Sequence, residues 1–170
     1  MKPQKLSVDD VQVSSEENVA RILSKEWFVR GKLTSAAFAL EQGESYLSVN
    51  RTAINTYDND VAMFVKNHNS YAFDDNTKYK RALLNVGDVR GIDVKTDHVE
   101  MKINVEVEPR DIHTKSHAGI FTRFQDKNIK KGQLIKAVPT AEEVSGDTIL
   151  LEVRKELKNL SFVEECMIVE

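Results

Sequence analysis

Residues 98–109, HVEMKINVEVEP, constrain the fold more than any other stretch of the chain. Val99, Met101, Ile103, Val105 and Val107 alternate without a break with Glu100, Lys102, Asn104, Glu106 and Glu108. Successive side chains of a strand point to opposite faces, so this segment has one apolar and one polar face. A strand of that kind belongs to an antiparallel sheet covered on one side. Pro109 is expected to end it, because a residue without an N–H cannot extend a central ladder.

The segments around this strand supply its partners. SSEENVARILSKEW, residues 14–27, is predicted as a first helix: Ser14 and Glu17 have capping-box spacing, and Val19, Ile22, Leu23 and Trp27 recur at helical intervals. GKLTSAAFAL and YLSVNR are predicted as two strands joined by a turn containing Gly43. A short helix capped by Asp58 is expected through NDVAMFVKNH, followed by a polar loop to Lys80. RALLNVGDVRGIDVKTD should give one or two strands, with Gly87 and Gly91 marking a bulge or bend. AGIFTRF and GQLIKAV are expected as further strands.

DTILLEVRKELKNL has the apolar stripe Ile149, Leu150, Val153, Leu157 and Leu160, so it reads as a strong last helix with Asp147 as its N-cap. SFVEECMIVE closes the chain as a strand. The architecture expected is a single α+β domain over residues 1–170: a mostly antiparallel, bent sheet of five to seven strands covered on one face by the N- and C-terminal helices.

Composition bounds the function classes. A chain of 170 residues, 41% hydrophobic and 30% charged, is expected to fold as one soluble domain. No segment has the length of a membrane span and the first residues lack a signal-peptide h-region, so the expectation is a cytoplasmic protein with no membrane association. The lone Cys166 excludes an internal disulfide and a cysteine-rich zinc site, and is expected as a small core side chain.

The charge is unevenly spread. Residues 110–136 carry seven basic side chains (Arg110, Lys115, Arg123, Lys127, Lys130, Lys131, Lys136) against Asp111 and Asp126, while the whole chain is at −3. Within this basic segment His113 and His117 stand four residues apart. That spacing suits a metal on a helix, but Pro109, Gly119 and the lack of an apolar stripe argue against a helix, so no metal and no cofactor are expected.

Histidine among arginines also suits proton transfer at a phosphate. His117 is the candidate general acid or base with His113 as helper, and the small Ala118 and Gly119 are expected to leave the ring and nearby N–H groups accessible. The candidate anion-binding residues are Arg123, Arg110, Arg51, Lys115, Lys130 and Lys131. The aromatics of EWFVRG and NSYAF are expected in the core or at its margin. The histidine–x–Ser/Thr–apolar pattern of two-histidine phosphoesterases is met by HNSY at 68–71 but not by HAGI at 117–120, and assigns no family.

Nor is there a P-loop, a dinucleotide fingerprint or a nucleophile elbow. The favoured expectation is therefore a non-catalytic interaction or accessory protein whose basic segment binds an anion. Its partner would be an acidic protein, a nucleotide or single-stranded nucleic acid. The alternative is a small enzyme acting on a nucleotide or RNA phosphate through His117.

Overall fold

The structure, a computed structural model, describes residues 12–41, 44–94, 101–110, 114–126, 136–137 and 147–169. Seven strands form one sheet: β1 (Asn18–Ile22), β4 (Leu47–Arg51), β5 (Lys78–Asn85), β6 (Met101–Pro109), β7 (His117–Asp126), β8 (Lys136–Ala137) and β9 (Phe162–Met167). Their spatial order is β6-β7-β4-β1-β5-β9, with β8 paired to β7, and every pairing is antiparallel. Among the described residues three α-helices accompany the sheet: α1 (Tyr57–Asn67), α2 (Val86–Arg90) and α3 (Asp147–Leu160). The result is a mostly antiparallel α+β domain, as the alternating segment implies.

The two faces of the sheet bury different clusters. On one face Val19, Leu47, Val49, Ala82, Leu84, Val105, Val107, Ala118 and Ile120 pack with Val86 and Val89 of α2 and with Val153 and Leu157 of α3. On the other face Ala20, Ile22 and Tyr79 pack with Tyr57, Val61 and Val65 of α1, with Cys166 half-buried at the margin. The helix α1 thus covers the β1–β5 part of this second face. The part built by β4 and β7 meets different company, described below.

Several local expectations change. Residues 14–27 do not form the predicted α-helix: they hold β1 and a 3-10 turn at Lys25–Trp27, and no α-helix precedes β1 among the described residues. The Ser14–Glu17 motif does close a turn, with the Ser14 N–H donating to Glu17 Oε2 at 2.7 Å and the Glu17 N–H to the Ser14 carbonyl at 3.1 Å. The chain then enters β1, a central strand in which Val19, Ala20 and Ile22 are all buried. A strand buried on both faces loses its two-residue alternation, and its apolar run can be read as a helix.

GKLTSAAFAL is not a strand pairing with YLSVNR. Lys32–Leu33 form a two-residue strand, β3, which pairs with β2 (Phe28–Val29). Arg30 and Gly31 join them with φ of 51° and 77°, the positive values that a two-residue hairpin turn of the right twist requires. A 3-10 turn at Ser35–Phe38 follows and buries Ala37 and Phe38. Val86–Arg90 are likewise helical: Asn85 caps α2 by accepting the Asp88 N–H at 3.0 Å, and Gly91 ends it. Gly43 and most of GQLIKAV lie outside the described residues.

Candidate functional site

The site grows from the turn between β6 and β7. The Arg110 N–H donates to the His117 carbonyl at 2.8 Å, and the His117 N–H donates to the Thr114 carbonyl at 3.1 Å. Ser116, fully buried, ties this turn to two other elements. Its N–H donates to Asp60 Oδ2 of α1 at 3.1 Å, and its hydroxyl accepts from Asn50 Nδ2 of β4 at 2.9 Å. Asp60 Oδ2 also accepts from the Thr56 hydroxyl at 2.9 Å. These bonds replace the water that each polar group would lose on burial, so they fix His117 relative to α1 and β4.

Register then decides what stands beside His117. Asn50 lies opposite His117 and Ser48 opposite Gly119 on β4, while Glu108, Glu106 and Asn104 of β6 lie opposite Gly119, Phe121 and Arg123. Residues directly opposite share a face, so all of them belong to the face that α1 covers only in part. Gly119 leaves room there for a ring. A Cβ on Gly119 would stand 2.6 Å from Tyr46 Cδ2, 2.8 Å from Tyr46 Cγ and 2.9 Å from Phe121 Cε2. Tyr46 therefore rests directly on the backbone of β7, with its ring centroid 5.0 Å from Phe121 and 5.9 Å from His117.

Tyr46, His117, Asn50 and Ser48 form one side of a cavity of about 520 Å3, closed on the other side by Asp60 and Phe64 of α1 and by Tyr71. This volume is within the range of sites that take small molecules. Phe64 and Tyr71 are 4.8 Å apart in edge-to-face contact, and His68 stacks on Phe64 at 4.5 Å. Arg21, at the cavity margin, donates from Nε to the Ala37 carbonyl (3.0 Å) and from Nη1 to the Ser48 carbonyl (2.9 Å), with its guanidinium 4.7 Å from the centre of the Trp27 ring. Burial pushes its pKa below the ordinary arginine value, opposed by the charges of Tyr71, Glu44 and Glu41.

The arginines of the region differ in how they are held. Arg51 is buried, its Nε and Nη2 donating to the two Glu17 carboxylate oxygens at 2.9 Å each. Arg123 is paired with Glu108, and Arg90 with Glu106. Arg110 is different: its guanidinium lies 5.5 Å from the Tyr46 ring centre and 4.7 Å from that of Phe121, and no carboxylate among the described residues pairs with it. Its Nε is buried without a hydrogen-bond partner among the described residues.

The residues singled out in the sequence are thus separated. His117 reaches the cavity, and Arg110 stands behind the Tyr46 ring that lines it. Arg123 shares Phe121 with Arg110, its guanidinium 4.3 Å from the ring centre. Arg51 does not join them, because its guanidinium is committed to Glu17 on the opposite face. Lys115 is exposed on the turn. His113, Lys130 and Lys131 lie outside the described residues.

Two local readings of His117 also change. The residue is 9% exposed rather than open to solvent, and it lines a partly open cavity. The backbone around Ala118 and Gly119 is flanked by β4 on one side and β6 on the other, so it serves the sheet ladder rather than an anion. The sequence reading missed Tyr46, Asp60 and Arg21 and set Tyr71 at the core margin; the glycine facing Tyr46 was the one signal that a ring had to be accommodated.

Among the described residues no three histidine, cysteine, aspartate or glutamate side chains come together to hold a metal, and no helix is long and apolar enough to cross a membrane. Comparison of the chain with protein-family models, with curated proteins and with solved structures finds no match.

Proposed function

We propose that the protein is a non-catalytic binding protein for a nucleotide. The observation that carries this reading is the pairing of an aromatic-lined cavity with Arg110, a cation without a carboxylate partner among the described residues, across a single tyrosine ring. Tyr46, Phe64 and Tyr71 offer π-faces for a planar base, since stacking on aromatics is a general means of holding one. Asn50, Asp60 and His117 supply directional polar groups. Arg110, which packs on Tyr46 and Phe121 outside the cavity lining, is the cation assigned to the phosphate of a nucleotide that extends past the Tyr46 ring.

The test is calorimetric titration with AMP and with adenosine, on the wild-type chain and on Arg110→Ala. A charge-assisted hydrogen bond contributes about 1.5–3 kcal/mol, so AMP should bind about tenfold to a hundredfold more tightly than adenosine. Arg110→Ala should remove that difference and leave adenosine binding intact. Failure of every nucleotide tried to bind at millimolar concentration would overturn the proposal.

A second reading, catalysis on the bound phosphate ester, is supported by the presence of His117 and Asp60 on facing sides of the same cavity. It requires turnover of the bound nucleotide that His117→Gln abolishes while binding persists. Unchanged nucleotide after prolonged incubation with the wild-type chain would dismiss it.

A further inference from the structure

We infer that the protein forms a two-fold symmetric dimer by antiparallel pairing of β9 with β9 of a second copy, in a register that sets Cys166 opposite its own counterpart. β9 is the last strand of the sheet and pairs with β5 alone among the described residues.

The hydrogen bonds fix which of its main-chain groups face outward. The Leu23 N–H donates to the Lys80 carbonyl at 2.9 Å, so the even-numbered residues of β5 turn to β1 and the odd-numbered ones to β9. Across from these stand Glu164, opposite Arg81, and Cys166, opposite Tyr79, and the Ile168 N–H donates to the Thr77 carbonyl at 2.9 Å. The even-numbered residues of β9 therefore bond β5. Val163, Glu165, Met167 and Val169 direct their N–H and C=O groups outward, where they meet no strand among the described residues.

Edge strands that remain unpaired are protected by lysine, proline or a bulge. Residues 162–169, FVEECMIV, contain neither residue, their pairing with β5 runs without a bulge, and Phe162, Val163, Met167 and Val169 are exposed. The two charges of the stretch are already engaged, Glu164 by Arg81 and Glu165 by Lys78. A partner strand thus gains little by bringing charge of its own. What the edge offers is main chain and apolar side chains, and a second copy of β9 matches both.

The register follows from parity and charge. Outward groups must face outward groups, so odd-numbered residues pair with odd-numbered ones. Centring the pair on Glu164 or on Glu165 would set like charges directly opposite, which is destabilising. Centring it on Cys166 is the longest arrangement of residues 162–169 in which no two glutamates face each other. Val163 then faces Val169, Glu165 faces Met167 and Glu164 faces Ile168. The two cysteines form a non-hydrogen-bonded pair, with Cα atoms about 4.5 Å apart, inside the range of roughly 4.4–6.8 Å that a disulfide spans.

The experiment is sedimentation equilibrium of the full chain under reducing conditions, followed by oxidation with diamide, which takes two electrons and two protons from two thiols. The expected mass is twice that of the chain, and diamide should convert the dimer to a covalent one through Cys166, the single cysteine. Met167→Pro removes an outward N–H and none that bonds β5, so it should give a folded monomer. Pairing holds the two thiols at an effective concentration of about millimolar, so at micromolar protein the variant should cross-link about a hundredfold more slowly. A monomer at high micromolar concentration would overturn the inference, as would a dimer that diamide does not link or one that persists in folded Met167→Pro. The wild-type mass and cross-link decide the matter even if that variant does not fold.

Discussion

Gly119→Ala is the perturbation whose consequence can be worked most directly from the structure. The added methyl would meet Tyr46 Cδ2 at 2.6 Å, Tyr46 Cγ at 2.8 Å and Phe121 Cε2 at 2.9 Å, well inside ordinary van der Waals separation. Cγ is the root of the tyrosine ring, so no rotation of a flexible tip relieves the contact, and Tyr46 must leave its seat. Forcing a methyl into a filled site costs about 1–3 kcal/mol. For a chain of this size each kcal/mol moves the melting temperature by roughly 2–4 °C, so a fall of about 2–12 °C is expected.

The backbone at Gly119 is not in the left-handed region, which makes the effect one of space alone. Gly91 provides the control: a Cβ there meets only main-chain oxygens at 3.4 and 3.5 Å, and its φ is −82°. Gly91→Ala should be neutral or stabilise by up to about 1 kcal/mol through the unfolded chain. Melting curves by circular dichroism on the two variants give the comparison. Because Tyr46 both lines the cavity and carries Arg110, Gly119→Ala should also weaken AMP binding. An unchanged melting temperature together with unchanged AMP affinity would refute the seat assigned to Tyr46.

The remaining predictions concern stability. Removing one partner of the buried Arg51–Glu17 pair, by Glu17→Ala or Arg51→Ala, should cost about 3–5 kcal/mol in urea denaturation, since the other charge is left uncompensated. Asp60→Ala should cost about 1–3 kcal/mol by orphaning the buried Ser116 N–H, and Asp60→Asn less. Burial raises the pKa of both Tyr57 and Tyr79, whose hydroxyls lie 3.3 Å apart. The folded state holds these protons more tightly than the unfolded chain, so their contribution is complete below the ordinary tyrosine value of about 10 and is lost as pH rises above it. Tyr79→Phe should flatten that alkaline loss in a stability–pH profile.

The parts of the fold that could be read in the sequence are those with one wet face. Val105 and Val107 are buried and alternate with half-exposed Glu106 and Glu108 in β6, and α3 buries Val153 and Leu157 along its stripe. The part that misled is the centre of the sheet, where Val19 and Ala20 face opposite ways and are both fully buried. No periodicity survives there, and the real turn at Ser14–Glu17 suggested a helix that the chain does not continue.

The site was legible only at His117 and Arg110. Its other walls come from residues 46, 60, 64 and 71, brought together by strand order and by α1, which no local pattern encodes. Arg51 shows the reverse case. At the end of YLSVNR it looked free to hold an anion, but strand parity turns it to the face where Glu17 waits.

The central claim is that a nucleotide occupies the cavity between β4, β7 and α1. Amide and histidine-ring NMR spectra recorded during titration with AMP and GMP test it most directly. Saturable shifts are expected at Tyr46, Ser48, Asn50, Asp60, Phe64, Tyr71 and residues 114–119, with the His117 ring among them. Spectra unmoved at millimolar nucleotide, or shifts that bypass these residues, would contradict it.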